Sequence, residues 1–253
     1  LSKFARKRRI LIVGEGRETE YNYFVGFRNA HENILESLAI SVSVKRGRGG
    51  DAIGIVKNAI KEAKRSPPDR RLGDRIFLLL DAEGPGNFPG KGRTPELPAA
   101  EKLAKKHGIE IIYSCPPFEY WFLCHFANAP RGQFADCDAV VAALNKRWNS
   151  VSKINYDKAD PDVFTRLAEL LDTARRQALK IDLHYINTSG SARRSNPSTQ
   201  VYELVAVLIG IKSGEKCPLD GKWKLVGDPR VVVEVAKGQT MPTHKNDTAH
   251  WYI

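Results

Sequence analysis

Short apolar runs separated by helix-length amphipathic stretches fill the first half of the chain. Ile10-Leu11-Ile12-Val13, Arg75-Ile76-Phe77-Leu78-Leu79-Leu80 and Ile109-Glu110-Ile111-Ile112-Tyr113-Ser114 are too short for helices and rich in β-branched residues. They read as strands buried on both faces of a sheet. Ile40-Ser41-Val42-Ser43-Val44 alternates strictly and reads as a fourth strand. Between these runs the apolar period lengthens. Tyr21 to about Leu38 puts Tyr21, Phe24, Phe27, Leu35 and Leu38 near one helical face. Asp51 is placed to cap a helix carrying Ile53, Val56, Ile60 and Ala63, which Ser66-Pro67-Pro68 stops. Pro98 to Lys106 is a helix closed by Gly108, and Phe118 to Phe126 an aromatic helix following Pro116-Pro117. Strands alternating with helices predict an α/β fold, a mostly parallel sheet flanked by helices.

The second half changes character. Residues 130–186 carry helical patterns near Asp138–Trp148 and Pro161–Leu179, Ser189–Ser198 is a polar loop, and Thr199–Ile211 is an apolar helix. From Ser213, Gly, Pro and Trp punctuate short β-type runs, chiefly Trp223–Val226 and Arg230–Val235. The expected organisation is a main unit over 1–212, helical from about 130, and a small β-rich C-terminal appendage over 213–253. An appendage that short is expected to hold little core of its own. No apolar run reaches membrane-span length, and the basic start LSKFARKRR lacks a signal peptide's apolar stretch. The expectation is a cytoplasmic protein with no membrane partner.

Charge narrows the class further. Forty Lys and Arg against 29 Asp and Glu give a net charge of +11, which favours a polyanionic partner, with nucleic acid foremost. Lys45, Arg46 and Arg48 sit on a glycine-rich loop, and Arg193-Arg194 on a later polar one. Both stretches suit phosphate contacts, and both also suit ordinary solvated surface. Residues 1–9 read as a basic arm. The four cysteines show no paired spacing, so reduced thiols are expected.

The acids are placed differently. Glu15 follows the first strand in Gly14-Glu15-Gly16, Asp81 and Glu83 follow the strand ending at Leu80, and Glu119 follows Pro116-Pro117. If those strands are parallel neighbours, their carboxyl ends converge where open α/β sheets place ligands. Each acid alone reads as a helix cap or solvated loop residue. Together they would repel one another unless cations neutralise them, and hard oxygen donors suit Mg²⁺ or Mn²⁺. Glu20 is a further candidate acid. His125 lies in an apolar run and reads first as a packed core histidine, with a catalytic role as the other reading.

Four stretches also carry a family resemblance. GEGRETEYNYF resembles the EG-x-x-TE-x-x-YF opening of RloB-like proteins, which are associated with bacterial abortive infection and have a Toprim-like domain. Asp81-Ala82-Glu83 resembles that family's acidic D-x-D, Pro117 to Phe126 its P-x-FE-x-W-x-x-x-HF signature, and Asn196 to Val201 its NPST-x-V stretch. The resemblance implies a Mg²⁺-dependent Toprim-type nuclease acting on DNA or RNA in antiphage defence. Glu15, Asp81 and Glu83 would be its catalytic residues and, with Glu119, its metal ligands. An AAA- or ABC-type ATPase partner and a homo-oligomer are further expectations. One departure is Glu83, where Asp is usual. It keeps open the alternative of a non-catalytic defence subunit that binds nucleic acid or an ATPase through a degenerate site.

Overall fold

The computed structural model describes residues 6–82, 96–190 and 195–253. Five strands make the main sheet in the order β2-β1-β3-β4-β5: β1 (Arg8–Val13), β2 (Ile40–Lys45), β3 (Arg75–Asp81), β4 (Ile109–Cys115) and β5 (Ser198–Thr199). The first four are parallel, and β5 joins antiparallel, setting Thr199 beside Ser114 and Ser198 beside Cys115. The predicted α/β class holds.

Strand β3 shows why its sequence is apolar throughout. Phe77 and Leu79 pack with Tyr23, Phe24 and Phe27 of α1 (Thr19–Ala30) on one face. Ile76, Leu78 and Leu80 pack on the other with Ile55, Val56 and Ala59 of α3 (Ala52–Arg65) and Ala100 and Ala104 of α4 (Leu97–Lys106). Period-two alternation thus serves two cores at once. Asp51 caps α3, its carboxylate accepting from the Gly54 amide at 2.6 Å.

The predicted helix from Tyr21 to Leu38 is in fact two, α1 and α2 (Glu32–Ser37), parted at His31. His31 leaves helical geometry (φ −109°, ψ 20°) and stacks on Phe27 at 4.3 Å. The described base of the basic arm is pinned to the sheet. Arg9 donates to the buried Asp74 carboxylate through its amide at 2.7 Å and its Nε at 2.8 Å, and Arg6 reaches the same carboxylate at 3.1 Å. These partly exposed cations neutralise a buried acid next to β3.

Helices α5 (Glu119–Cys124), α6 (Cys137–Trp148), α7 (Val163–Leu167), α8 (Leu171–Ser189) and α9 (Val201–Ile209) extend the α1 face of the sheet. Tyr23 is the hub between α1 and α5. Its ring lies 5.2 Å from Phe164, 5.4 Å from Phe122 and 6.0 Å from Phe118. Pairs of this kind contribute about 1 kcal/mol each beyond burial. The aromatic run 118–122 is fully interior, as expected.

The C-terminal part forms a second, antiparallel sheet, β6-β9-β7-β8, from β6 (Ile211–Lys212), β7 (Gly221–Leu225), β8 (Asp228–Val235) and β9 (His250–Tyr252). It holds more core than its length suggested. Trp223 and Trp251 are buried with Cys217, Val235 and Met241, and Ala206 of α9 completes the cluster. Two large indoles supply apolar area that a short β segment otherwise lacks. Lys237 ties this sheet to α8 and α9, its ammonium 2.8 Å from both Asp182 and Glu203. No described helix is long and apolar enough to cross a membrane, and none of the four cysteines is in a disulfide.

Candidate functional site

The chain crosses from β1 to β2 in one direction and then returns past β1 to β3 and β4, so the order reverses between β1 and β3. At such a switch point the connecting loops part and leave a crevice at the strands' carboxyl ends. Glu15 and Asp81 sit there. The Glu15 carboxylate accepts from the Asp81 amide at 2.9 Å, which locks the loop after β1 across the end of β3.

Two more acids reach the same crevice from helix starts. Glu20 lies in the first turn of α1, and its carboxylate accepts from the Gly16 amide at 3.3 Å. Glu119 opens α5 and is buried, with one oxygen held by the Tyr156 hydroxyl at 3.1 Å and by the Lys158 ammonium at 3.3 Å. Burial keeps the Tyr156 phenol protonated, so it donates. The Glu119 carboxylate in turn raises Lys158 above its ordinary value. A cavity of about 300 Å³ is lined by these groups: Glu15, Glu20, Asp81, Glu119 and Lys158, with Arg17, Glu18, Thr19 and Phe118.

Electrostatics disfavour a further negative charge at Glu20. Burial, then the charges of Glu15 and Glu119, raise the Glu20 carboxyl to about 7, against opposing hydrogen bonds from the Glu20 and Gly16 backbone. Carboxylate oxygens are the donors Mg²⁺ or Mn²⁺ takes, and a divalent cation would offset the charge that raises Glu20. Glu15, Glu20 and Asp81 line this cavity, while Lys158 neutralises one oxygen of Glu119. Among the described residues no three His, Cys, Asp or Glu side chains are grouped closely enough to hold a metal ion. Glu83, predicted as a ligand, lies outside the described residues, as do Arg193 and Arg194.

Beside the acids is a basic pocket of about 590 Å³, lined by Arg17, Lys45, Arg46, Arg48 and Arg65 with Tyr21 and Glu62. Arg17 lines both cavities. Backbone contact welds the two loops together: the Gly47 amide donates to Gly16 O at 2.7 Å and the Gly49 amide to Glu15 O at 3.0 Å. A Cβ at residue 47 would stand 1.9 Å from the Glu15 carbonyl oxygen, so this approach requires glycine. Arg46 is engaged within the chain, lying 4.0 Å over the Tyr21 ring and paired with Glu18 at 2.5 Å.

His125 stands apart from both cavities. Its ring is fully buried, with Nδ1 3.0 Å from Trp121 O and Nε2 3.3 Å from the Tyr23 hydroxyl. Burial lowers it to about 4, which makes it a neutral core residue. Sequence reasoning did not single out Tyr156, Lys158 or Arg17. Lys158 sits in a polar stretch with no periodic signal, and only the packing of α6 on α5 and of α7 on α1 brings it to Glu119.

The family model of the RloB-like proteins matches residues 10–208. The chain belongs to the RloB-like family. No curated protein and no solved structure matches it. The RloB-like span takes in all but the first two residues of the main sheet and ends within α9, ahead of the small antiparallel sheet. Every described acid of the crevice lies inside it.

Proposed function

We propose that this RloB-like protein is a Mg²⁺-dependent phosphodiesterase of the Toprim type, cleaving DNA or RNA in antiphage defence. The observation that carries the reading is the convergence of Glu15, Glu20, Asp81 and Glu119 at the β1/β3 switch point, with a five-cation pocket sharing Arg17 as its wall. Mg²⁺, when bound, supplies charge that polarises a scissile phosphodiester. The chain's own groups supply the rest. Glu15, fixed by the Asp81 amide, and Asp81 present oxygens at adjacent strand ends. Glu20, titrating near neutrality, holds or releases a proton at its carboxyl in the working pH range. Lys45, Arg48 and Arg17 hold phosphates of the strand beside the acids, without reading its sequence. An AAA- or ABC-type ATPase partner belongs to this reading as the source of its control.

One observation favours a second reading, a binding subunit without catalysis. The Lys158 ammonium already sits on Glu119 and partly balances the acids without a metal.

Incubation of the purified protein with tRNA, single-stranded DNA and plasmid, in Mg²⁺, Mn²⁺ or EDTA, separates the two. The nuclease reading expects cleavage of at least one substrate in metal, none in EDTA, and none from Asp81→Asn. Binding of nucleic acid with no cleavage under any condition establishes the second reading instead. Replacing Lys45, Arg46 and Arg48 together should weaken binding to all sequences alike and flatten its salt dependence.

A further inference from the structure

A cavity of about 430 Å³ opens where the main unit meets the small sheet. Helix α8 walls it with Leu179 and Leu183, α9 with Tyr202, and the entry to the small sheet with Ile211 and Pro218. Leu179, Tyr202, Ile211 and Pro218 are buried, so the floor is apolar. The Tyr202 hydroxyl is spent on the buried Asp182 carboxylate, which Lys237 also holds. Arg176, Lys180 and Lys216 line the same cavity and are exposed, so they form its rim. Residues 176, 179, 180 and 183 follow one another at helical spacing, which sets rim cations and floor leucines side by side on α8. Arg175 is already committed: it donates to Gly210 O at 3.1 Å and lies 3.7 Å from Glu215, the one acid among the described lining residues. The three rim cations are not. Arg176 bonds the Thr173 hydroxyl at 3.3 Å and Lys216 the Thr240 hydroxyl at 2.9 Å, and among the described residues neither these two nor Lys180 pairs with a carboxylate.

We propose that this cavity binds a small anionic amphiphile, a compact apolar body carrying a phosphate or carboxylate. Its volume is that of small-molecule sites, which are mainly apolar with a few charges that fix the ligand's orientation. A helix, about 10 Å across, would fill it within roughly one turn, so it suits a small molecule rather than a segment of chain. The apolar floor takes a body with no hydrogen bonds to satisfy. The rim takes the charge: Arg175 balances Glu215, which leaves Arg176, Lys180 and Lys216 to hold an anion by charge-assisted hydrogen bonds. The site straddles the end of the RloB-like span, with α8 and Tyr202 inside residues 10–208 and Ile211 to Pro218 beyond them. The C-terminal segment thus completes a pocket that the family-matched part alone leaves open. None of its lining residues belongs to either cavity at the switch point, so the proposal is independent of the nuclease reading.

The test is a fluorescence titration of the full chain with 1-anilinonaphthalene-8-sulfonate, beside N-phenyl-1-naphthylamine, which has the same rings without the sulfonate. Wild type should bind the sulfonate saturably at one site. Arg176→Glu combined with Lys180→Glu should weaken the sulfonate by about tenfold or more and leave the uncharged dye unchanged. Both positions are exposed, so this variant should melt with the wild type. Lys45→Glu combined with Arg48→Glu, in the other basic pocket, should leave both dyes unchanged. Displacement of the sulfonate by AMP or by decanoate then tells a nucleotide from an acyl carboxylate as the source of the anion. Absence of saturable binding overturns the proposal. So does binding that the Arg176 and Lys180 reversals do not weaken, which would place the dye elsewhere. Displacement by neither AMP nor decanoate overturns it too, since the cavity would then hold an adventitious dye only.

Discussion

Replacing Glu20 with Gln removes the carboxyl most disfavoured by the acid crevice and keeps its shape. In the folded chain this group titrates near 7, against 4.5 for the free side chain. Each pKa unit corresponds to 1.36 kcal/mol, so the difference amounts to about 3 kcal/mol. Its sign is opposite to that of a salt-bridged acid. A carboxyl whose folded pKa is raised contributes stability that is fully present below its unfolded value and lost as pH rises through its folded value. The wild type should therefore lose about 3 kcal/mol between pH 4.5 and 8 from this group, and the variant should not. The amide that replaces the carboxyl in Glu20→Gln can still accept from Gly16, so the two proteins should melt together near pH 4.5. At pH 8 the variant should melt about 9 °C higher, at the few degrees per kcal/mol expected for a chain of this size.

Thermal unfolding of both proteins from pH 4.5 to 8 in EDTA measures this directly. The other titrating groups are common to both and cancel in the difference. A gap that stays constant across the range would refute the assignment of Glu20 as a protonated, buried acid. Adding Mg²⁺ at pH 8 then tests the cation. Binding to the folded state alone raises Tm by mass action and favours ionised Glu20, so wild type should gain more than a variant that has lost one donor. If the pH-dependent gap appears but Mg²⁺ moves neither protein, the crevice is acidic without being a metal site.

Three other perturbations probe separate parts of the molecule. His125, lowered to about 4 by burial, contributes stability above its unfolded value of 6.5 that is lost as pH falls toward 4, up to about 3 kcal/mol; His125→Gln should flatten that acid limb in a Tm–pH series. Asn196→Ala strips the amide that donates to Phe134 O at 2.8 Å and accepts from Phe134 N at 3.1 Å, and should cost about 2 kcal/mol in urea unfolding. Gly47→Ala forces a Cβ against the Glu15 carbonyl, so it should part the acidic and basic loops and weaken nucleic-acid binding at least as much as removing Lys45, Arg46 and Arg48, measured by fluorescence anisotropy.

The sheet was legible because its strands are buried on both faces and must be apolar without interruption, as Ile76–Leu80 shows. Helix caps were legible for a similar local reason, as with Asp51. What sequence could not provide was anything depending on two distant segments at once. The two-residue strand Ser198–Thr199 gains its identity only from Ser114, whose hydroxyl lies 2.8 Å from that of Thr199; alone it reads as the start of the next helix. The break at His31 depends on a ring stacking on Phe27 within a face that is otherwise continuous. Glu15 and Asp81 were legible as strand-end acids, and their adjacency followed once β1 and β3 were neighbours. Lys158 and Tyr156 were not, because nothing in their own stretch marks them and their role comes entirely from Glu119.

The four stretches that carry the family resemblance divide their labour physically. The first contributes Glu15 and Glu20 to the crevice, while Tyr23 and Phe24, a turn further on, face the core. The third does the same: Glu119 reaches the crevice, and Trp121, Phe122 and His125 pack around Tyr23. Acids at helix starts are thus anchored by aromatics one turn later, on helices that lock to each other. That arrangement explains how a buried, raised carboxyl such as Glu20 is tolerated. Moving it away from Glu15 and Glu119 would require breaking the Tyr23 cluster, whose pairs together outweigh the few kcal/mol of repulsion. The last stretch adds no acid. Asn196 clamps the Phe134 backbone and Thr199 extends the sheet edge at β4, which fixes the strand leading into Glu119. A motif of this kind therefore encodes a rigid frame as much as a site. Substitutions at Tyr23 or Asn196 should then shift the crevice's titration as well as the chain's stability, whereas solvent-facing changes at Lys45 or Arg48 should alter binding alone.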